Sequence, residues 1–169
     1  MTGDRERRTS TGATLRLVGA DAVVPTPDVT GQDGAVEQAA APSESIVLPG
    51  QRQSVAVGRH WVVRTSAEYG VTGLANQVVE LLSSELLANA VLHGADGGAV
   101  GVQVRCTEES LRISVSDGGA STPVVMHNEP SAPNGRGMAI VEAMSTRWGV
   151  DEHTDGGKTV WFELDLADF

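Results

Sequence analysis

The stretch that decides the fold covers residues 80–94 and reads ELLSSELLANAVLHG. Its apolar residues recur at helical spacing and predict an amphipathic helix with a wide buried face. They are Leu81, Leu82, Leu86, Leu87, Ala90 and Val91. Glu85, Asn89 and His93 stand four residues apart and form a polar stripe beside that face. Gly94 follows, where a helix end favours a left-handed glycine. Three polar groups along a buried helix indicate either a solvated flank or a functional site.

Length and composition limit the class of protein. A chain of 169 residues is long enough for one domain with a substantial core. Its net charge of −10 argues against direct nucleic-acid binding, because neutralising phosphates requires clustered Lys and Arg. No apolar run is long enough to cross a membrane and no secretory signal is recognisable, so we expect a cytoplasmic protein. Cys106 is the only cysteine, which excludes an internal disulfide.

The composition changes near residue 45. Residues 1–44 are rich in Gly, Ala, Thr, Pro and acidic residues and show no sustained periodicity. Such a segment cannot bury enough apolar surface to fold, so we expect a disordered N-terminal extension. The folded domain is expected to cover residues 45–169.

Within that domain, hydrophobic periodicity predicts helices and strands in a defined order. The predicted elements are a strand at 45–48, helices at 54–68 and 74–93, a hairpin at 100–106 and 111–116, a helix at 138–147, and a second hairpin at 148–152 and 159–166. Residues 122–134 contain three prolines and are predicted to form an irregular loop. This order predicts an α+β fold, a two-layer α/β sandwich with helices on one face of a largely antiparallel mixed sheet.

Two glycine motifs are weak signals when each is taken alone. Asp117 ends a predicted strand and two glycines follow it, which suits recognition of a flat donor such as an adenine amine. The same pattern also fits a plain Asp-Gly turn. Gly135, Arg136 and Gly137 open a helix after the loop, and backbone amides at such a position attract phosphate.

The order and combination of these motifs are more specific. They resemble the N, G1 and G2 boxes of the GHKL ATPase/kinase superfamily, together with its final threonine. Within that superfamily the chain is similar to the anti-sigma-factor serine kinases and their actinobacterial ATP-binding relatives. The resemblance covers about residues 46–167 and implies the Bergerat-type ATP-binding fold. It is carried by the phrases SELLANAVLHG, VSDGG, GRGMAIVEAMSTRWGV and GGKTVWFEL.

The resemblance implies a role for individual side chains. Asn89 would supply an amide oxygen to Mg²⁺, a cation that prefers oxygen ligands. Glu85 would orient or deprotonate the attacking hydroxyl or water. Asp117 would accept a hydrogen bond from the adenine amine, with Thr159 supporting that contact directly or through water. Gly119 would let the base approach closely.

The phosphates of ATP would be held by the second glycine box. Gly135, Arg136 and Gly137 would wrap them with backbone amides, and residues 122–134 would act as a lid. Ser121 stands where the family pattern has the second glycine of its first glycine box, which reduces the freedom of the lid hinge. The lid is short and has no Lys or Arg before Arg136, so the γ-phosphate charge has few side-chain partners and nucleotide binding is better supported than turnover.

The function implied by the resemblance is that of an ATP-dependent, Mg²⁺-dependent protein serine kinase of the anti-sigma type. It would phosphorylate an antagonist (anti-anti-sigma) protein and sequester a sigma factor, acting as a homodimer. The alternative is a nucleotide-gated binding module with little or no kinase activity. A third possibility is the catalytic half of a split histidine kinase, but no hairpin with a phosphoacceptor His and no long lid is recognisable. His93 is expected only to pack and cap its helix.

Overall fold

The computed structural model describes residues 40–119 and 136–169. Its elements in chain order are β1 (Ser43–Pro49), α1 (Arg52–Glu68), α2 (Gly73–His93), β2 (Ala99–Cys106), β3 (Ser110–Asp117), α3 (Arg136–Met144), β4 (Arg147–Glu152), β5 (Lys158–Asp165) and a 3-10 helix at Leu166–Asp168. Within these two ranges, no helix combines the length and apolarity that a membrane crossing requires. The first strand begins two residues before the predicted domain boundary, and residues 1–39 of the predicted extension lie outside the described residues.

The described strands form one sheet with β3 at its centre. The strand order is β1-β2-β3-β5-β4, and each neighbouring pair is antiparallel. The predicted α+β architecture is therefore confirmed. The prediction of a mixed sheet is not matched among the described strands, where every pair is antiparallel. The pairing of β3 with β5 brings Asp117 opposite Lys158, although 41 residues separate them in the chain.

The core lies between the inner face of the sheet and the helices. Val104, Ile113 and Phe162 face one another across three strands and are fully buried. From the helix side, Leu82 and Val62 pack into the same cluster. Alternation along each strand puts every second side chain on this face. Burial of apolar surface on that face is the main term that holds the helices against the sheet.

The outer face of the sheet is polar. The Arg112 guanidinium carbon lies 3.7 Å from the centroid of the Trp161 ring. The same guanidinium lies 3.9 Å from the Asp151 carboxylate, and Arg147 pairs with Glu163 nearby. Charged side chains and an aromatic ring are typical of a sheet face that borders solvent. The helices therefore cover one face, as predicted.

The boundary between α3 and β4 differs from the prediction. The helix ends at Met144 instead of residue 147. The Thr146 backbone N–H donates to the Glu163 carbonyl at 2.9 Å, so the chain already pairs with β5 at that point. A backbone amide committed to the sheet cannot continue the helical ladder. The long-range pairing explains why helical periodicity alone placed the helix end too late.

Two predictions about α2 are wrong. Leu81 was expected on the buried face but is 39% exposed, whereas Leu82 and Leu86 are at most 1% exposed. Gly94 was expected to be left-handed but has a φ of −73°. Glycine is required there for another reason, because a Cβ would collide with the Ala90 carbonyl oxygen. Close packing, not a left-handed cap, therefore explains the glycine.

Candidate functional site

The predicted site residues come together where α2 passes over the ends of β3 and α3. Near its middle, α2 presents Glu85 to the start of α3 at Gly137. At its end, α2 packs Gly94 against Asp117, whose Cβ lies 3.4 Å from the position of a Cβ on that glycine. The site therefore has two parts, an acidic end at β3 and a second end at the start of α3.

Asp117 forms the acidic end. Its residue is 6% exposed, at the last position of β3. Its Oδ1 accepts hydrogen bonds from the Gly119 backbone N–H at 2.7 Å and from Lys158 Nζ at 3.1 Å. Its Oδ2 is buried and has no hydrogen-bond partner among residues 40–119 and 136–169. Two donors on one oxygen fix the carboxylate, and the other oxygen keeps its capacity to accept a hydrogen bond.

Lys158 is a site residue that the sequence analysis missed. It is the register partner of Asp117, and both side chains are only 2% exposed. The pattern of β5 contained the signal, because buried Val160, Phe162 and Leu164 define the inward positions. Counting back two residues from Val160 places Lys158 on that same face.

The structure gives Thr159 a different environment from the predicted one. Its hydroxyl lies 2.6 Å from Ser116 Oγ and 2.8 Å from His153 Nε2. Neighbouring residues of a strand point to opposite faces, so Thr159 points away from the side of the sheet that carries Asp117. The role of Thr159 in supporting the adenine contact stays a prediction, and the structure places Lys158 beside the Asp117 carboxylate instead.

Glu85 marks the other end of the site. It is half-buried on α2, and burial raises the pKa of its carboxyl group. A Cβ on Gly137 would lie 3.3 Å from Glu85 Cδ and would collide with Oε2. The carboxylate thus lies directly against the first turn of α3. Because burial raises the pKa of this carboxyl group, Glu85 is a better proton acceptor than an exposed glutamate.

Asn89 lies one turn after Glu85 on α2. The residue is half-buried, and its Nδ2 is buried with no hydrogen-bond partner in the part of the chain that the structure describes. Buried amide groups normally have partners, so an unpartnered one beside Glu85 is consistent with a ligand site. His93, one turn further on at the end of α2, is exposed.

The glycine-box residues have mixed outcomes. A Cβ on Gly119 would collide with the His93 carbonyl oxygen, so this glycine is required for packing against the end of α2. Its role in admitting a base stays a prediction. Arg136 is exposed at the start of α3. Gly135, Ser121 and the predicted lid lie outside the described residues.

Two cavities of the described chain lie away from this site. One of about 250 Å³ is bordered by the end of β1 and the start of β2. The other, of about 290 Å³, adjoins Glu163 and Asp165 near the opposite end of β5. Neither touches Asp117, Glu85 or Asn89. The candidate site is therefore defined by the polar groups between α2 and the sheet, and not by either of these cavities.

The structure is thus an α+β domain with an antiparallel sheet covered by helices on one face. Its candidate site lies between α2 and that sheet. The sequence model of the histidine kinase-like ATPase domain matches residues 48–164. The chain belongs to this family, and membership implies ATP as the ligand. The GHKL resemblance noted from the motifs is confirmed.

The chain spans less than a third of the length of the curated relative that it matches, and about a third of one of the solved structures. It is similar to the sensor histidine kinase AruS of Pseudomonas aeruginosa, with 32% identity over 116 residues that cover 55% of this chain and 12% of AruS. A solved structure of the RsbU and RsbW domains of Rv1364c from Mycobacterium tuberculosis matches with a TM-score of 0.54 and 22% identity. That match covers 73% of this chain and 32% of the other. The catalytic domain of histidine kinase ThkA matches with a TM-score of 0.44 and 13% identity, covering 72% of this chain and 95% of that one. The structural matches bear on the fold alone.

Proposed function

We propose that this domain binds ATP and transfers its γ-phosphate to a serine of an antagonist protein, and that it sequesters a sigma factor. The observation that carries the proposal is the contact between Glu85 and Gly137. It brings a carboxylate with a raised pKa to the start of the helix that the family resemblance assigns to the phosphates. Structural similarity to a structure that contains an RsbW domain supports the fold on which this proposal is built.

In the proposed reaction, the serine hydroxyl oxygen attacks the γ-phosphorus of ATP. The bond from that phosphorus to the β–γ bridging oxygen breaks, and ADP leaves with the electron pair. Glu85 accepts the hydroxyl proton as the new P–O bond forms. Its poorly solvated position favours this step, because desolvation raises the basicity of a carboxylate.

Asn89 is proposed to bind Mg²⁺ together with the phosphates. Residues 40–119 and 136–169 contain no cluster of three His, Cys, Asp or Glu side chains that could hold a metal. A site with one amide oxygen and several phosphate and water oxygens matches how Mg²⁺ is usually bound beside nucleotides. When bound, Mg²⁺ would neutralise charge on the phosphates.

The proposed protein partners are a sigma factor and its antagonist, and the proposed assembly is a homodimer in the cytoplasm. The net charge of −10 favours partners with a basic surface, because complementary charge accelerates encounter. It disfavours direct contact with nucleic acid. The domain boundary at residue 45, with an extension before it, is part of the same proposal.

The second candidate function is nucleotide-gated binding without phosphoryl transfer. It is favoured by the lid sequence, which has no Lys or Arg before Arg136 and so offers few side-chain partners to the γ-phosphate. Ser121 in the first glycine box points the same way, since the family pattern has a glycine there. This function needs ATP affinity but no general base.

Incubation with γ-labelled ATP, Mg²⁺ and candidate antagonist proteins tests the two candidates. The kinase proposal predicts labelled phosphoserine on one antagonist. ATP binding without label on any antagonist that forms a complex with the protein would favour the binding module. Absence of ATP binding at millimolar concentration would contradict both.

A Gly137→Ala variant should slow transfer without unfolding the protein. The added Cβ meets the mobile end of the Glu85 side chain, so the carboxylate shifts and the backbone stays in place. Displacing a general base by about 1 Å can cost on the order of 100-fold in rate. Transfer rate and thermal denaturation measured together separate this effect from loss of the fold.

Gly101→Ala is a matched control for that variant. A Cβ on Gly101 has its nearest neighbour 3.7 Å away, at Ser116 Cβ, which is an ordinary contact. Its rate should equal that of the wild type. Equal rates in both alanine variants would argue against a catalytic position for Glu85.

A further inference from the structure

Lys158 is the only lysine of the chain, and its side chain is 2% exposed. A lysine this deeply buried is rare unless it is paired. Its partner is Asp117, across the end of the β3–β5 ladder. Gly157 positions the pair, because its φ of +87° and the collision of a Cβ with the Asp117 carbonyl oxygen both require glycine.

The ion pair is incompletely satisfied. An ammonium group carries three donors, and the one hydrogen bond that Nζ makes within the described chain goes to Asp117 Oδ1 at 3.1 Å. Asp117 Oδ2 is buried and accepts no hydrogen bond from the residues that the structure describes. Polar groups left unsatisfied in a low-dielectric site cost free energy. Among the described residues, the pair therefore has one acceptor and two ammonium donors left for a ligand.

The charges of the pair define the chemistry of that ligand. Lys158 and Asp117 neutralise each other, so the favoured partner is a neutral edge with a donor next to an acceptor. The Watson–Crick edge of adenine has this arrangement, with the 6-amino donor beside the N1 acceptor. Guanine presents the opposite order, an acceptor at position 6 and a donor at N1. The Gly119 N–H and Lys158 Nζ both donate to Asp117 Oδ1 and hold the carboxylate in place. The acceptor at Asp117 and the donor at Lys158 therefore keep their positions, and guanine would meet them in the wrong order.

We propose that Lys158 is a specificity-determining residue that donates a hydrogen bond to N1 of adenine while Asp117 Oδ2 accepts one from the 6-amino group. This inference rests on the proposed function, in which the base of ATP lies at Asp117. It assigns to Lys158 the supporting contact expected of Thr159. It also makes base recognition charge-assisted on both atoms, which favours adenine over guanine.

Calorimetric titration of the wild-type chain with three nucleotides in Mg²⁺ tests the contact. The nucleotides are ATP, 1-deaza-ATP, which lacks the N1 acceptor, and 7-deaza-ATP, which lacks a ring nitrogen away from the Watson–Crick edge. We expect 1-deaza-ATP to bind about 10- to 100-fold more weakly than ATP, because a charge-assisted hydrogen bond is lost and a buried ammonium is left without its acceptor. The control 7-deaza-ATP should bind within about threefold of ATP.

The Lys158→Met variant provides the reciprocal test. It removes the donor and should bind ATP and 1-deaza-ATP equally. Because this variant leaves a buried carboxylate without a counter-charge and can misfold, a second measurement uses the wild type. ¹⁵N-lysine labelling gives a single side-chain amine signal, which ATP should shift differently from 1-deaza-ATP.

The possible results distinguish the Lys158–N1 contact from the proposed ATP binding on which it rests. Weaker binding of 1-deaza-ATP alone, with distinct amine shifts, supports the Lys158–N1 contact. Equal binding of ATP and 1-deaza-ATP, with equal shifts, overturns the contact and leaves ATP binding intact. Failure of all three nucleotides to bind at millimolar concentration overturns the proposed function and the contact together.

Discussion

Glu85→Gln should reduce phosphoryl transfer to the antagonist serine by about 10²- to 10⁴-fold, the usual contribution of a general base. Glutamine retains the shape of the side chain beside Gly137 but cannot accept the hydroxyl proton. ATP affinity should stay close to that of the wild type, because the proposed binding contacts lie at Asp117 and Asn89. Single-turnover transfer and calorimetric ATP titration measure the two effects separately.

Glu80→Gln is the matched control for this substitution. Glu80 lies on the same helix and is exposed, and its carboxylate pairs with Arg59 at 3.9 Å. Its substitution should leave transfer unchanged. Label transfer by Glu85→Gln at the wild-type rate would remove Glu85 from the mechanism.

The same Glu85→Gln variant should be more stable than the wild type at neutral pH. Burial raises the pKa of Glu85, so the folded state disfavours the charged form. Protonated Glu85 therefore contributes to the free energy of unfolding of the wild type at low pH. That contribution is lost as the pH rises through the raised pKa. Glutamine stays neutral throughout. The difference in melting temperature should shrink as the pH falls below the ordinary glutamate pKa.

Asp117→Asn should weaken both the fold and ATP binding. The substitution keeps an acceptor for the Gly119 amide but leaves Lys158 buried without a counter-charge. Removing one partner of a buried ion pair typically costs about 3–5 kcal/mol. ATP affinity should fall about 10-fold or more, because the acceptor proposed for the 6-amino group loses its charge. Denaturant unfolding and calorimetry measure the two losses.

Asp151→Asn is the matched control, because it removes the same charge from an ion pair that is not buried. Asp151 also pairs with a basic residue on the sheet, but its side chain is 35% exposed and the distance to Arg112 is 3.9 Å. Its loss should cost less than about 1 kcal/mol. Adding Lys158→Met to Asp117→Asn should recover part of the stability, since neither charge then remains buried alone. Unchanged stability and ATP affinity in Asp117→Asn would refute both roles of Asp117.

Much of the fold could be predicted because its periodic signals are strong and local. The alternating valines of β2 and the helical spacing of α2 correspond to buried residues in the structure. The α3–β4 boundary could not be placed from periodicity, because it depends on a backbone bond from Thr146 to Glu163 on a distant strand. Local pattern determines which face of an element is buried, and long-range pairing determines where the element ends.

The candidate site was predictable as a set of motifs but not as a set of contacts. Glu85, Asn89 and Asp117 were identified from spacing and resemblance. Thr159 was placed beside Asp117 although the alternation of β5 puts Lys158 there. The sequence showed which residues of β5 face inward, but not which residues of β3 they pair with. That pairing brings Lys158 to the Asp117 carboxylate.

The central claim is that a nucleotide lies between α2 and the ends of β3 and β5. A crystal structure of the whole chain with Mg²⁺ and a non-hydrolysable ATP analogue tests it most directly. The account predicts an adenine edge within hydrogen-bonding distance of Asp117 Oδ2, phosphates at the start of α3, and the metal at Asn89. A nucleotide bound elsewhere, or none bound at millimolar analogue, would contradict it.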